Sequence, residues 1–171
     1  MTESQRFYGK YRATVLNNLD PMQMGRIQVM APDVSALLPT SWAMPCVPVA
    51  GIQTGAFTVP IIGSGVWVEF EQGNPDYPIW VGGYWGSAAE VPVLARQATP
   101  PIPGFAYQTP LQNGLLVTDL PGPTGGIMLK SATGATIIVN DTGIYIQNGK
   151  GASIIMTGPT VTINNGAMVI T

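Results

Sequence analysis

An alternation of apolar and polar positions with a period of two runs through the first half of the chain. It occurs in residues 6–15, 25–30 and 66–71, and residues 72–76 have the composition of a turn. The apolar positions are Phe7, Tyr11, Ala13 and Val15; Ile27 and Val29; and Val66, Val68 and Phe70. A period of two is typical of a β-strand with one buried face. Several short strands without a helical stretch predict a small closed β-barrel over residues 1–86.

Residues 126–171 repeat a short pattern about every eight positions. Glycines recur at intervals of seven to nine residues, at Gly126, Gly134, Gly143, Gly151, Gly158 and Gly166. Between the glycines lie pairs of apolar residues two positions apart, and the positions between apolar residues are expected to be small or polar, as at Thr136, Gln147, Thr162 and Asn164. The pairs are Ile127/Leu129, Ile137/Val139, Ile144/Ile146, Ile154/Met156, Val161/Ile163 and Met168/Ile170. Each unit therefore predicts one strand with an apolar face, closed by a glycine turn.

A ladder of such strands cannot bury its apolar face by itself, because each repeat is covered only by its neighbours. Left open, a flat apolar surface with few charges would aggregate. We therefore expect three copies to wind into an intertwined trimeric β-helix, a β-prism, over residues 126–171. The expected trimer core is Ile137, Val139, Ile144, Ile146, Ile154, Met156, Val161, Ile163, Met168 and Ile170. An intramolecular β-sandwich or solenoid is the alternative, which eight residues per turn disfavours.

Residues 87–125 differ in composition from both flanking regions. Proline recurs here at positions 92, 100, 101, 103, 110, 121 and 123, and the segment also contains Ala88-Ala89. Proline fixes φ and removes a backbone donor, so the composition predicts an extended Pro/Gly-rich connector between the two regions.

Charge and composition exclude several chemistries. The chain has 7 basic and 9 acidic residues, no histidine and a single cysteine. The chain therefore lacks the residues for a catalytic triad with histidine, for an imidazole-ligated metal site and for a metal site made of several cysteines. A net charge of −2 also indicates no basic surface for binding nucleic acid. Glu69 and Glu71 could imitate a glycosidase pair, but solvated carboxylates opposite Arg6, Lys10 or Arg12 explain them better. We expect an all-β protein that is not an enzyme, with no catalytic residue, metal or cofactor.

Residues 9–86 resemble the OB-fold domain of the phage baseplate assembly protein V family, which includes the central spikes of contractile tails and the valine–glycine repeat proteins of type VI secretion. The resemblance rests on Asp20-Pro21, on residues 25–29, and above all on residues 60–82, with the sequence PIIGSGVWVEFEQGNPDYPIWVG. In this family the OB fold continues into a three-stranded intertwined β-helix with an octad repeat. The resemblance implies a structural spike that docks beneath a trimeric hub and punctures the target envelope by mechanical force.

The resemblance also implies partners and a location. Trp67, Tyr84 and Trp85 are candidate contacts with the hub. The hub is expected to be a separate protein, because few residues precede the OB-fold region, and a separate tip protein is expected at the C-terminal end. We further expect a homotrimer in the baseplate of a virion or injection particle, assembled in the host cytoplasm, with transient membrane contact and no nucleic acid. The alternative is an OB-fold binding module, for nucleic acid or carbohydrate, with an oligomerising tail.

Overall fold

The computed structural model describes residues 5–98 and 100–170. The chain divides into two compact units, Met1–Glu90 and Val91–Thr171, which we name the barrel unit and the sheet unit. The barrel unit contains β1 (Tyr11–Asn17), β2 (Gln28–Met30), α1 (Pro32–Ser35), β3 (Met44–Pro45), β4 (Ala50–Gly51), β5 (Thr54–Gly55), β6 (Gly65–Phe70) and β7 (Pro78–Tyr84), with 3₁₀ turns at Glu71–Gly73 and Ala88–Glu90.

Five strands of the barrel unit form one sheet in the order β2-β1-β6-β7-β3, in which β3 and β7 are parallel and the other pairs antiparallel. Just before β3, Ala43 exchanges two backbone hydrogen bonds with Ile27, just before β2, at 2.7 and 3.2 Å. These two bonds join the edge strands β2 and β3 to each other and so close a five-stranded barrel. The predicted OB fold is confirmed.

The barrel surrounds an apolar core that the alternation of residues predicted. Val15, Ile27, Val29, Val66 and Val68 are fully buried. Trp80 is also buried, and its indole N–H donates to the carbonyl of Gly25 at 3.1 Å. Around one end of this core, the rings of Phe7, Tyr11 and Phe70 pack against one another with centroids 5.7 to 6.1 Å apart. The barrel unit therefore buries the apolar faces of its strands within its own core.

The sheet unit is an antiparallel meander of eight strands in chain order. A 3₁₀ turn at Val93–Gln97 precedes them, and another at Asn164–Gly166 lies before the last strand. The strands are β8 (Gly104–Gln108), β9 (Gly114–Thr118), β10 (Gly126–Lys130), β11 (Thr136–Asn140), β12 (Gly143–Gln147), β13 (Ser153–Thr157), β14 (Thr160–Ile163) and β15 (Met168–Ile170). The six repeat glycines all have positive φ, four of them in the connections between strands and two, Gly126 and Gly143, at the first residue of a strand. Every strand of this sheet pairs with the next one along the chain.

The sheet begins earlier than the sequence indicated. Residues 87–125, predicted as an extended connector, contain β8 and β9, and β9 pairs with β10 along its whole length. The prolines of this region lie between positions 92 and 103 and at positions 110, 121 and 123, so both strands fall in proline-free intervals. A composition averaged over the whole region concealed these two intervals.

Candidate interaction surfaces

One face of the eight-stranded sheet is entirely apolar, and we name it the open face. Each strand contributes two residues to it, and the strand register aligns them in two rows across the sheet. The first row is Phe105, Val117, Ile127, Val139, Ile144, Met156, Val161 and Ile170; the second is Tyr107, Leu115, Leu129, Ile137, Ile146, Ile154, Ile163 and Met168. Ten of these sixteen side chains are exposed in the single chain, by between 38% and 66%. Such a large uncovered apolar surface indicates a protein interface.

All ten residues expected in the trimer core lie on the open face, where the structure brings them into register. Six further members were not among those ten: Ile127 and Leu129 on β10, and Phe105, Tyr107, Leu115 and Val117 on β8 and β9. The rings of Phe105 and Tyr107 pack edge to face with centroids 6.1 Å apart. The alternation in residues 104–108 and 114–118 could have revealed these strands, had the region not been interpreted as a connector.

The opposite face of the sheet has one apolar row, flanked by glycine and polar residues. The central row includes Leu116, Met128, Ile138, Tyr145 and Ile155. The expectation of small or polar residues between the apolar positions holds for the flanking positions, such as Thr136 and Gln147, but is wrong for this row. Over β9 the row is covered by the chain itself, where Leu94 and Leu116 are both buried. A Cβ on Gly114 would collide with Leu94, so glycine permits this close approach.

The connections on both sides of the sheet are joined by side-chain hydrogen bonds. On one side, the backbone N–H of Ala132 donates to the side-chain Oδ1 of Asn113 at 2.9 Å. On the same side, the backbone N–H of Ser153 donates to the side-chain Oδ1 of Asn164 at 3.0 Å. On the other side, the Asp141 carboxylate accepts from the N–H of Gly122 at 3.0 Å. These bonds link one connection to its neighbour along the length of the sheet.

A second candidate surface is an aromatic patch on the outside of the barrel, formed by Arg12, Trp67 and Tyr84. Arg12 pairs with Trp67 across β1 and β6. Its guanidinium lies 5.4 Å from the Trp67 ring centroid and 5.3 Å from that of Tyr84, and the two rings are themselves 5.1 Å apart. Cation–π contacts therefore hold the charged group in place. Both aromatic residues are among the hub contacts expected from the sequence, but Arg12 is not, because its position depends on the strand pairing.

Trp85, the third candidate hub contact, lies beside this patch and is 61% exposed. It lines an open cavity of about 810 Å³ together with Tyr84, Glu90 and residues 60–65. Tyr84 therefore borders both the patch and the cavity. Gly65 makes room for this ring, since a Cβ there would lie 2.7 Å from two Tyr84 ring atoms.

The turn after β1 is fixed by a partly buried ion pair. The Arg26 guanidinium donates to the Asp20 carboxylate at 2.6 Å and stacks 5.5 Å from the Trp42 ring centroid. Backbone N–H groups of Met22, Met24 and Arg26 also donate to this carboxylate. The Arg26 hydrogen bond, opposed by burial and supported by those N–H groups, holds the pKa of Asp20 well below its ordinary value.

Glu69 and Glu71 do not form a paired acid site. Glu69 is paired with Lys10, whereas Glu71 begins the 3₁₀ turn after β6. Within residues 5–98 and 100–170, no three His, Cys, Asp or Glu side chains are grouped so that they could hold a metal ion. In the same part of the chain, no helix is long and apolar enough to cross a membrane.

Two family models match the chain. Residues 11–85 match the type VI secretion system/phage-baseplate injector OB domain. Residues 105–169 match the phage baseplate V C-terminal trimerisation domain. The matched residues begin within β8 and include every residue of the open face except Ile170. No curated protein matches the chain. The matched domains identify a structural baseplate component of a phage or injection particle, and the trimerisation domain supports a homotrimer. The chain belongs to the phage baseplate protein V family.

Proposed function

We propose that three copies of this chain form the central spike of a contractile injection machine, with the open faces of their sheets packed around a common axis. The observation that carries the proposal is the open face itself, on which all sixteen positions are apolar and most are exposed in one chain. Burial of apolar surface is the main favourable contribution to association. The ten expected core residues would then be covered by the other two copies.

The width of the sheet supports a three-sided prism. Most of its strands are five residues long, which corresponds to about 17 Å at about 3.4 Å per residue. The centre of an equilateral triangle with sides of about 17 Å lies about 5 Å from each side, half the separation of about 10 Å between packed sheets. Side chains of ordinary size would fill such a prism, whereas a four-sided one would be hollow.

The proposed role includes docking beneath a trimeric hub through the aromatic patch and Trp85. Arginine, tryptophan and tyrosine are the residues most enriched at interface hot spots, and here Arg12, Trp67 and Tyr84 are held together before any partner binds. A separate tip protein would bind at β15, whose outer side pairs with no other strand in the described residues. The assembled trimer would puncture the target envelope by mechanical force. Assembly in the host cytoplasm and a transient membrane contact belong to the same proposal.

The experiment is the absolute mass of the purified chain by light scattering, for the wild type and two variants. We expect a wild-type mass three times the 18.0 kDa of one chain. Ile146→Asp would place three carboxylates within the proposed apolar core and should abolish the trimer. Thr162→Asp, on the opposite face of the sheet in the middle of β14 and away from both flanks, should leave it intact.

All four tryptophans lie in the barrel unit, so the near-ultraviolet circular dichroism shows in each variant whether the barrel is folded. A monomeric wild type, or a trimeric Ile146→Asp variant, would overturn the proposed packing. A monomer would instead favour an OB-fold binding module. For the docking step, particles assembled with Trp85→Ala should contain less of this chain per baseplate, while its trimer mass in solution stays unchanged.

A further inference from the structure

The charged residues of the sheet are sorted by sign between its two sides. Because the strands alternate in direction, the connections alternate sides. We name one side the acidic flank, with connections 119–125, 141–142 and 158–159, and the other the basic flank, with connections 109–113, 131–135, 148–152 and 164–167. Apart from Arg96 in the preceding 3₁₀ turn, the sheet unit has four charged residues: Asp119, Lys130, Asp141 and Lys150. Both aspartates lie on the acidic flank, and both lysines lie on the basic flank.

These opposite charges are separated by the width of the sheet within one chain. Asp119 follows Thr118, which pairs with Gly126 at the start of β10, whereas Lys130 is at the other end of β10. Four residues of extended strand separate those ends by about 13 Å. In the described part of the chain, neither aspartate forms an ion pair. The Asp141 carboxylate is held at its flank by the N–H of Gly122.

The spacing of the charges along the sheet is the same on both flanks. Asp119 follows β9 and Asp141 follows β11; Lys130 ends β10 and Lys150 follows β12. The two aspartates are thus two strands apart, as are the two lysines, which corresponds to about 10 Å at about 4.8 Å per strand. Each lysine is displaced from an aspartate by one strand in the same direction. A lysine side chain can span that offset, so one arrangement can satisfy both pairs at once.

A ring of three identical chains brings unlike surfaces together, because each chain contacts the next head to tail. The acidic flank of one sheet then meets the basic flank of the next at each corner of the prism. A two-fold contact between flanks would instead place like charges together. We propose that Asp119 and Asp141 of one copy form ion pairs with Lys130 and Lys150 of the neighbouring copy, and that these pairs set the direction and register of the ring. The inference rests on the proposed trimer.

Zero-length cross-linking tests these pairs directly. A carbodiimide joins a carboxylate to an amine only where the two groups touch. Trimers assembled from mixed ¹⁴N- and ¹⁵N-labelled chains should give Asp141–Lys150 and Asp119–Lys130 peptides that combine a light and a heavy partner. The variant Lys150→Gln should lose the first cross-link and keep the second. A trimer without these mixed peptides, or with such cross-links only inside one chain, would contradict the pairing.

Charge reversal provides a second test in the full-length protein. Asp141→Lys and Lys150→Asp each place like charges together at three corners. Each should multiply the trimer dissociation constant up to about a hundredfold at low salt, since an effect of up to about fivefold per exposed pair is repeated three times. The chain concentration at half-dissociation varies as the square root of this constant and should therefore rise by up to about tenfold. The double variant should return to within about threefold of the wild type, and 1 M salt should remove the differences.

The outcomes separate this inference from the proposed trimer. If both single variants dissociate like the wild type at low salt, or if the double variant is no better than either single one, the ion pairs are wrong although the trimer stands. If the wild-type mass is that of a monomer, the trimer itself is wrong.

Discussion

In the described residues, the barrel unit buries eleven apolar side chains, Pro78 included, whereas the sheet unit buries only Leu94 and Leu116. Both units consist of short strands in which apolar residues alternate with others. The difference is closure, because Ala43 and Ile27 join the ends of the barrel sheet, while β8 and β15 remain at opposite ends of an unclosed meander. Alternation therefore shows that a strand has an apolar face, but not whether its own chain covers that face.

Among the variants that test this comparison, Ile27→Ala is expected to change stability the most. Ile27 is fully buried in the barrel, so truncation leaves a cavity and should lower the free energy of unfolding of the barrel unit by about 2–5 kcal/mol. The trimer mass should not change, because the open face contains no barrel residue. Urea unfolding followed by tryptophan fluorescence measures the first effect, and light scattering the second.

Ile52→Ala is the control for Ile27→Ala. Ile52 is 97% exposed between β4 and β5, and its truncation should change stability by less than about 0.5 kcal/mol. If both variants lowered the free energy of unfolding equally, the barrel unit would not have the buried core described above.

A smaller effect is expected from Gly65→Ala, which concerns the outside of the barrel. The new methyl group would displace the Tyr84 ring from its place beside Arg12 and Trp67, at a cost of about 1–3 kcal/mol. Near-ultraviolet circular dichroism should report the change in aromatic packing. Gly83→Ala is the matched control on the paired strand, where a Cβ would meet only a backbone oxygen at 3.5 Å. Identical spectra for wild type and Gly65→Ala would contradict the packing described for Tyr84.

The smallest effect at neutral pH is expected from Asp20→Asn, and it depends on pH. Because the folded-state pKa of Asp20 is lowered, its ionised form stabilises the barrel fully above its unfolded pKa of about 4, and this contribution is lost as the pH falls below that value. Asp20→Asn should therefore lower the melting temperature at pH 7 but flatten its decrease towards pH 2. Asp33→Asn, at an exposed position in α1, is the control. A parallel pH profile for Asp20→Asn and wild type would refute this role.

The sequence predicted the barrel, its core and the repeated strands, because these depend on alternation within single strands. It did not predict features that depend on which strands are neighbours. Arg12 meets Trp67 and Tyr84 only because β1, β6 and β7 are adjacent. The sorting of Asp141 and Lys150 to opposite flanks likewise requires the antiparallel order of the meander, which periodicity alone does not reveal.

The direction of the hydrogen bonds in the sheet unit has a mechanical consequence. In an antiparallel sheet these bonds run perpendicular to the strands, so here they point along the length of the meander. Pulling along that direction would separate one strand pair at a time, beginning at β8 or β15. Pushing would shorten every N–H···O contact together, against the steep repulsion that atoms meet below their optimal separation. Such a sheet is stiff in compression and weak in tension, which suits the forward thrust of the proposed spike.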